Sequence, residues 1–286
     1  KLVMRIFDPE VLVRSFLDLG FDEKLLNKWQ SISQDSHGII LVTGPTGSGK
    51  TTTLYSSLKQ LATDQVNVCT IEDPIEMLEP SFNQMQVNHS IDLGFAEGIR
   101  ALMRQDPDII MVGEIRDQDT ANMAIQAALT GHLVLSTLHT NDAPSSLTRL
   151  HDLGVQPFLT SATILGVLAQ RLVRRLCSHC KQETFINDQE WKHLTFGYQF
   201  QMPNFVYKAV GCEACRDTGY KGRIGIYEFM PMSLELKQML GREATLEQLK
   251  LQIQKEGVEP LRIAGARKVV QGETTLEEVL RVVPLN

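Results

Sequence analysis

The sequence predicts an α/β fold in which a parallel β-sheet carries helices on both faces. Short apolar strand candidates alternate with helical stretches, and a glycine-rich loop joins the first strand of this series to a helix. Acidic residues and a histidine directly follow several of these strands. Because functional groups in such sheets gather at the carboxyl ends of the strands, we expect the site at that edge.

The strand and helix around the glycine loop are the clearest elements. Residues 39–42 are a continuous apolar run, typical of a strand buried on both faces. After the loop, Leu54, Leu58 and Leu61 recur at helical spacing. The other elements of the core are expected as strands at Val66–Ile71, Asp108–Val112 and Leu133–Leu138, and as helices around Ala96–Arg104 and Thr120–Leu129.

Composition excludes several classes of protein. The chain has 286 residues, 28 basic against 34 acidic, and a formal net charge of −6, which argues against a protein that coats nucleic acid or anionic lipid. With 43% hydrophobic and 22% charged residues it is globular rather than disordered. No apolar run reaches the about 20 residues of a membrane-spanning helix. Residues 1–10 lack the hydrophobic segment of a secretory signal, so we expect a cytoplasmic location.

Residues 44–51, Gly-Pro-Thr-Gly-Ser-Gly-Lys-Thr, match the phosphate-loop pattern G-x-x-x-x-G-K-[ST]. Its glycines let backbone N–H groups turn towards a β-phosphate, and the following helix points its positive end at the same place. Lys50 would reach the β- and γ-phosphates, and Thr51 would hold Mg²⁺. A ligand-free glycine turn is the alternative, which the flanking strand and helix disfavour. The candidate nucleotide ligands here are Gly44, Pro45, Thr46, Gly47, Ser48, Gly49, Lys50, Thr51 and Thr52.

A second, acidic element lies at residues 70–76, Thr-Ile-Glu-Asp-Pro-Ile-Glu. Hydrolysis at a γ-phosphate needs one carboxylate to orient or deprotonate water and others to support hydrated Mg²⁺. Glu72, Asp73 and Glu76 follow a predicted strand and could do both. The alternative is that they cap a helix or lie solvated in a turn.

Glu114 follows another apolar strand, residues 109–112, as in the metal-supporting strand of nucleotide hydrolases. Buried strands often end in a charge, however, so this pattern alone is weak.

His132 and His139 bracket the next strand. Their odd offset of seven puts them on opposite faces of a regular strand. Only His139, at the carboxyl end, is placed to contact a γ-phosphate, so we expect another role for His132, such as contact across a subunit boundary.

Four of the five cysteines form two Cys-x-x-Cys pairs, Cys177 with Cys180 and Cys212 with Cys215. Two such pairs make a closed, tetrahedral, structural zinc site. The spacer between them exceeds the usual 15–20 residues or so, and must carry its own structure. Unliganded or redox-active cysteines are the alternative. Cys69 stands alone in a predicted strand, where we expect it only to pack.

Together these residues resemble the secretion and pilus motor ATPases, namely the type II secretion ATPase and the type IV pilus assembly ATPase. The resemblance runs from roughly Leu2 to Val283. It rests on these motifs in order: GPTGSGKTTT at 44–53, TIEDPIE at 70–76, RQDPDIIMVGEIRD at 104–117, GHLVLSTLHTN at 131–141, LAQRLVRRLC at 168–177 and GYKGRIGIYE at 219–228.

The resemblance implies roles for individual residues. Glu76 corresponds to the catalytic base and Glu114 to the glutamate that supports Mg²⁺ and water, with Glu72 and Asp73 completing the acidic box. His132 and His139 match a histidine box that senses nucleotide. The four cysteines match a zinc-binding insertion that retraction motors typically lack, which disfavours a retraction role.

The resemblance also implies a domain order. The expected units are the end of a truncated N-terminal domain at 1–8, a linker at 9–30, a RecA-like P-loop ATPase core at 31–171, a tetracysteine zinc-binding subdomain at 172–222 and a helical C-terminal subdomain at 223–286, with Thr245 and Thr275 as helix caps. Arg5 would be the last of the arginines that the N-terminal domain contributes. Because arginines supplied in trans increase phosphoryl-transfer rates by about 10³–10⁵, we expect this chain alone to bind ATP but hydrolyse it poorly.

The expected function is therefore that of one subunit of an ATP-driven ring, a hexamer, with ATP, Mg²⁺ and Zn²⁺ as cofactors. It would push an inner-membrane platform protein from the cytoplasmic face as a peripheral component, adding pilin or pseudopilin subunits to a fibre. One rival is a DNA-translocating or conjugation-type motor, which the net charge of −6 does not favour. Another is a nucleotide-gated assembly module whose turnover is not essential.

Overall fold

A computed structural model describes residues 14–284 of the chain, so Arg5 and the expected domain end at 1–8 lie outside the described residues. The strands are β1 Gly38–Thr43, β2 Val68–Glu72, β3 Asn83–Gln86, β4 Ile109–Val112, β5 Leu133–Leu138, β6 Ile164–Leu176, β7 Gln182–Thr184, β8 Val206–Lys208 and β9 Tyr220–Pro231. The helices are α1 Phe16–Leu19, α2 Glu23–Ser33, α3 Lys50–Leu61, α4 Phe95–Leu102, α5 Gln118–Leu129, α6 Pro144–Asp152, α7 Pro157–Thr163, α8 Asp188–Leu194, α9 Leu234–Gly241, α10 Leu246–Lys255, α11 Leu261–Val270 and α12 Leu276–Val282.

Seven strands form one sheet in the order β3-β2-β4-β5-β1-β6-β9. All neighbours pair in parallel except β6 and β9, which pair antiparallel. The expected α/β fold with a parallel sheet is confirmed, and the antiparallel edge strand is an addition. Because β5 lies between β1 and β4, the segments that follow these three strands meet at one edge of the sheet.

Helices cover both faces of this sheet because the central strands are apolar on both. Ile40 and Val42 of β1 pack with Trp29 and Leu58 on one face. Ile39 and Leu41 pack into a second cluster with the buried alanines of α5 on the other. Burying both faces of a central strand keeps the strand ends, which carry the polar residues, in fixed positions.

Two packed helices lie within residues 16–33, before β1, whereas the sequence suggests a linker over 9–30. Trp29 of α2 is buried, and its Nε1 donates to Ser57 Oγ of α3 at 3.1 Å. Phe21 lies with its ring 4.4 Å from that of Tyr227, whose hydroxyl donates to the Leu19 carbonyl at 2.8 Å. Aromatic packing therefore joins α1 and α2 to β9. The division into subdomains stays a prediction, and β6 and β9 continue across two of its boundaries.

Short helices α9 to α12 follow β9, as the sequence predicts. Both predicted caps are confirmed: Thr245 Oγ1 accepts from the N–H of Gln248 at 3.3 Å, and Thr275 Oγ1 from that of Glu278 at 3.4 Å. Within residues 14–284, none of the helices is long and apolar enough to cross a bilayer.

Candidate functional site

The glycine loop after β1 leads directly into α3, which begins at Lys50. Gly44 has a φ of 150°, and a Cβ there would lie 2.4 Å from the Gln170 carbonyl oxygen, so only glycine fits. The Lys50 Nζ donates to the Gly44 and Pro45 carbonyls at 2.9 and 3.2 Å. Burial lowers the pKa of Lys50, and the nearby Glu114 carboxylate partly offsets this. A partly desolvated ammonium is thus held inside the loop.

Gln170 of β6 supports the glycine loop from behind. Its side chain is almost fully buried, its Nε2 donates to the Ser48 carbonyl at 2.8 Å, and its Oε1 accepts from the Thr53 hydroxyl at 2.8 Å. One amide therefore fixes both the loop and the first turn of α3. Gln170 is not among the residues that the sequence predicts for the site. The sequence signal for it is a polar residue within an otherwise apolar run at the start of the motif at residues 168–177. No function was assigned to that motif.

A cleft of about 150 Å³ opens at the carboxyl ends of β2, β4 and β5. The predicted residues that line it are Lys50, Thr51, Glu72, Asp73, Glu76, Glu114 and His139. A cation, a hydroxyl and four carboxylates therefore surround one small space, as the position of these residues after the strands predicts. This set can bind a phosphate chain, ligate a divalent cation and activate water.

Glu72 is the buried member of the acidic box. Its carboxylate accepts hydrogen bonds from the Tyr55 hydroxyl at 2.7 Å, the Thr70 hydroxyl at 2.6 Å and the Gln84 amide at 3.3 Å. Burial and this carboxylate raise the pKa of Tyr55, which keeps the hydroxyl a donor. Glu72 thus anchors the acidic segment. Beyond it Asp73 is exposed and Glu76 half-buried at the cleft.

Glu114 is held between a cation and an imidazole. Arg116 Nη2 lies 2.5 Å from its Oε1, and His139 Nε2 lies 3.4 Å from its Oε2. Burial and the Lys50 charge lower the pKa of His139, and Glu114 partly offsets the lowering. His139 is therefore mostly neutral at pH 7 and can exchange a hydrogen bond with a ligand oxygen. Arg116 was not selected from the sequence, although it follows Glu114 by two residues.

His132 lies at the other end of β5 and does not line the cleft. At about 3.3 Å per residue, the strand separates it from His139 by roughly 20 Å. Its Nδ1 lies 2.8 Å from the Ala127 carbonyl oxygen and 3.2 Å from the Thr130 hydroxyl. Of the two histidines, only His139 therefore lines the cleft, and its contact with a γ-phosphate stays a prediction. The sensing or interface role of His132 stays a prediction.

The two cysteine pairs meet as one cluster. The four Sγ atoms of Cys177, Cys180, Cys212 and Cys215 all lie within 4.8 Å of one another. Three of the Sγ–Sγ distances are 3.8 to 3.9 Å. A tetrahedral zinc ion with Zn–S bonds of about 2.3 Å requires sulfurs about 3.8 Å apart, so the cluster fits Zn²⁺.

Backbone donors support the same sulfurs. The N–H groups of Cys212 and Gly219 both point to Cys215 Sγ at 3.2 Å, and that of Gly211 points to Cys180 Sγ at 3.4 Å. Such bonds stabilise thiolates, the form that binds metal. Cys69 lies apart, buried in β2 within the core, and packs as expected.

The comparisons with known proteins agree with this geometry. The family model described as "Type II/IV secretion system protein" matches residues 1–281. The chain belongs to this family. The type IV pilus assembly ATPase TfpB of Acinetobacter baylyi is 78% identical over 285 residues, which are 100% of this chain and 49% of that protein. The type II secretion system ATPase E of Vibrio cholerae is 46% identical over 282 residues, 99% of this chain and 56% of that protein.

Among solved structures, the pilus retraction motor PilT with bound ADP is similar with a TM-score of 0.72 and 29% identity, covering 98% of this chain and 69% of that chain. The family member described here spans about half the length of the curated relatives it matches. The resemblance to the secretion and pilus ATPases that the motifs indicate is thereby confirmed, and so is the RecA-like type of core.

Proposed function

We propose that this chain is the ATPase portion of a motor subunit that hydrolyses ATP to drive assembly of pilin or pseudopilin fibres. The convergence of the glycine loop, Glu76, Glu114 and His139 on one cleft carries the proposal. The assembly ATPase at 78% identity and the cysteine cluster support assembly over retraction, although the similar solved structure is of a retraction motor.

The cleft suggests a division of labour for hydrolysis. The loop N–H groups and Lys50 bind the phosphates, and Thr51, Glu72, Asp73 and Glu114 are the groups that would hold Mg²⁺. When bound, Mg²⁺ neutralises charge on the β- and γ-phosphates. Glu76 accepts the proton of the attacking water.

Glu114 and Arg116 keep His139 at the γ-phosphate end of the cleft. Zn²⁺ would be held by the four cysteines as a structural ion with no open position.

The proposal includes the assembly in which the subunit works. The subunits form a ring, a hexamer, on the cytoplasmic face of the inner membrane, attached as a peripheral component through a platform protein. The related proteins are named as a type IV pilus assembly ATPase and a type II secretion system ATPase, which supports work within such a machine. The net charge of −6 supports a protein rather than a nucleic acid partner.

The test replaces Glu76 by Gln in the full-length protein. We expect ATP turnover to fall by at least about 10²-fold, because the water loses its base, and fibre assembly in cells to stop. Glu79→Gln is the matched control, because Glu79 pairs with Lys59 outside the cleft. Fibre output that persists without turnover would support the nucleotide-gated module. Turnover that increases on addition of duplex DNA would support the DNA-translocating motor. Either result would refute the proposal.

A further inference from the structure

The loop at residues 139–143 joins β5 to α6. Through its contacts it also links the cleft to the helices that follow β9. It begins at His139, next to Glu114, and ends at Ala143, the N-cap residue of α6. Near its start, the N–H of Thr140 donates to the Thr43 hydroxyl at 2.9 Å. Thr43 is the last residue of β1 and directly precedes the glycine loop. This first half of the loop is therefore fixed to the nucleotide side of the sheet.

Glu228 of β9 holds the far end of this loop. Its side chain is buried, with a residue exposure of 4%. Its Oε1 accepts from the Ala143 N–H at 2.7 Å, and its Oε2 accepts from the Leu261 N–H at 3.4 Å. Leu261 is the first residue of α11, so one carboxylate joins the amino ends of α6 and α11. Both helix dipoles favour a negative charge at this point.

Two further contacts tie the middle of the loop to residues that follow it in the chain. Lys250 Nζ of α10 lies 2.7 Å from Asp142 Oδ2. Arg171 of β6, whose side chain is buried, donates from Nη2 to the Asn141 carbonyl at 3.0 Å. The position of the loop thus depends on β6, β9 and α10 as well as on the core strands beside it.

We propose that Glu228 is a positioning residue of the nucleotide site, and that loop 139–143 is where the C-terminal helices and the cleft influence each other. The inference rests on the proposed ATPase function. Glu228 does not line the cleft, so it acts through the loop. Both of its oxygens accept a hydrogen bond, whereas a glutamine offers only one acceptor oxygen. A glutamine would leave one buried N–H without a partner, and α6 or α11 would move to relieve it.

The experiment is steady-state ATP hydrolysis by the full-length protein with Glu228→Gln at about pH 8.5, above the pKa of about 7 to which burial raises this carboxyl, so that the wild-type side chain is ionised. We expect kcat to fall about tenfold because His139 is displaced from the γ-phosphate, while KM for ATP changes by less than about twofold. Glu278→Gln is the matched control. Glu278 is equally buried and joins Arg174 of β6 to α12, but it does not contact the loop. The control should melt at a lower temperature and keep its kcat.

A double-mutant cycle separates positioning from general destabilisation. In a His139→Ala background, Glu228→Gln should have little further effect on single-turnover hydrolysis, because the residue through which it acts is gone. Independent, multiplying effects would overturn the inference, as would an unchanged kcat in the single variant.

If Glu228→Gln does not fold, Lys250→Ala tests whether the position of the loop affects hydrolysis. The Lys250 side chain is half exposed, and the substitution removes its contact with Asp142 of the same loop. We expect a smaller fall in kcat that also vanishes in the His139→Ala background, and an unchanged kcat overturns the inference. A wild-type protein that binds ATP without turnover would refute the proposed function itself and remove the basis for both proposals.

Discussion

The nucleotide cleft and the cysteine cluster are built on opposite principles, although strand β6 connects them. The cleft places a cation and four carboxylates in one space, and charges brought together in this way cost stability. The cluster brings four sulfurs to the spacing of a single zinc ion, which would crosslink the segments on either side. Substitutions in the cleft should therefore affect turnover first, and substitutions in the cluster should affect stability first.

Lys50→Ala should give the largest effect, on turnover alone. The loop loses the ammonium that we propose binds the β- and γ-phosphates, and we expect kcat/KM for ATP to fall by about 10³-fold. The melting temperature should stay the same or rise, because burial already lowers the pKa of Lys50 and the charged form is costly there. If the melting temperature falls strongly together with the activity, the prediction that the cleft affects turnover and not stability is wrong.

Removal of zinc should have the converse effect. Chelation, or Cys212→Ser, leaves the remaining thiolates without their shared ion, and we expect the free energy of unfolding to fall by several kcal/mol. Metal analysis should find about one zinc per chain before chelation. Binding of ATP should change little. Native protein that contains no zinc and is insensitive to chelators would contradict the assignment.

Glu228 gives the stability a pH dependence of its own. Burial raises its pKa from 4.5 to about 7, so the native state holds this proton more tightly than the unfolded chain. Its contribution is most favourable below pH 4.5 and is lost as the pH rises to about 7, a change of at most about 3 kcal/mol. Denaturant titrations from pH 5 to 8 should show a shallower pH dependence for Glu228→Gln. Equal slopes would contradict the burial of this charge.

Gln170→Leu tests the strand shared by both regions and should have the smallest effect. It removes the two hydrogen bonds to Ser48 and Thr53, which costs about 2 kcal/mol. Because the glycine loop loses its support, affinity for ATP should fall, while zinc content should not change. Equilibrium binding of a fluorescent ATP analogue, measured beside zinc content, checks both parts. A loss of zinc would show that β6 couples the two regions more tightly than expected.

Local sequence patterns predicted those features whose defining residues lie close together in the chain. The glycine loop, the strands that end before Glu114 and His139, and the capping threonines all combine residue type with short spacing. They could be read without tertiary information because each chemical group lies next to the element that positions it.

The residues that the sequence analysis missed depend on contacts between distant parts of the chain. Gln170 and Glu228 are polar residues in apolar strands, and their partners Ser48 and Ala143 lie 122 and 85 residues away. Periodicity marks such positions only as buried. The packing of the helices before β1 is hidden from local patterns for a similar reason, since the contacts of Trp29 include Ser57 and Phe229, which lie far from it in the chain.

Single-turnover hydrolysis of saturating ATP by the full-length protein, wild type against Glu76→Gln, tests the central claim most directly. The cleft geometry predicts that both proteins bind ATP with similar affinity, and that cleavage of the γ-phosphate slows by at least about 10²-fold in the variant. Cleavage by Glu76→Gln at the wild-type rate, with ATP fully bound, would contradict the account.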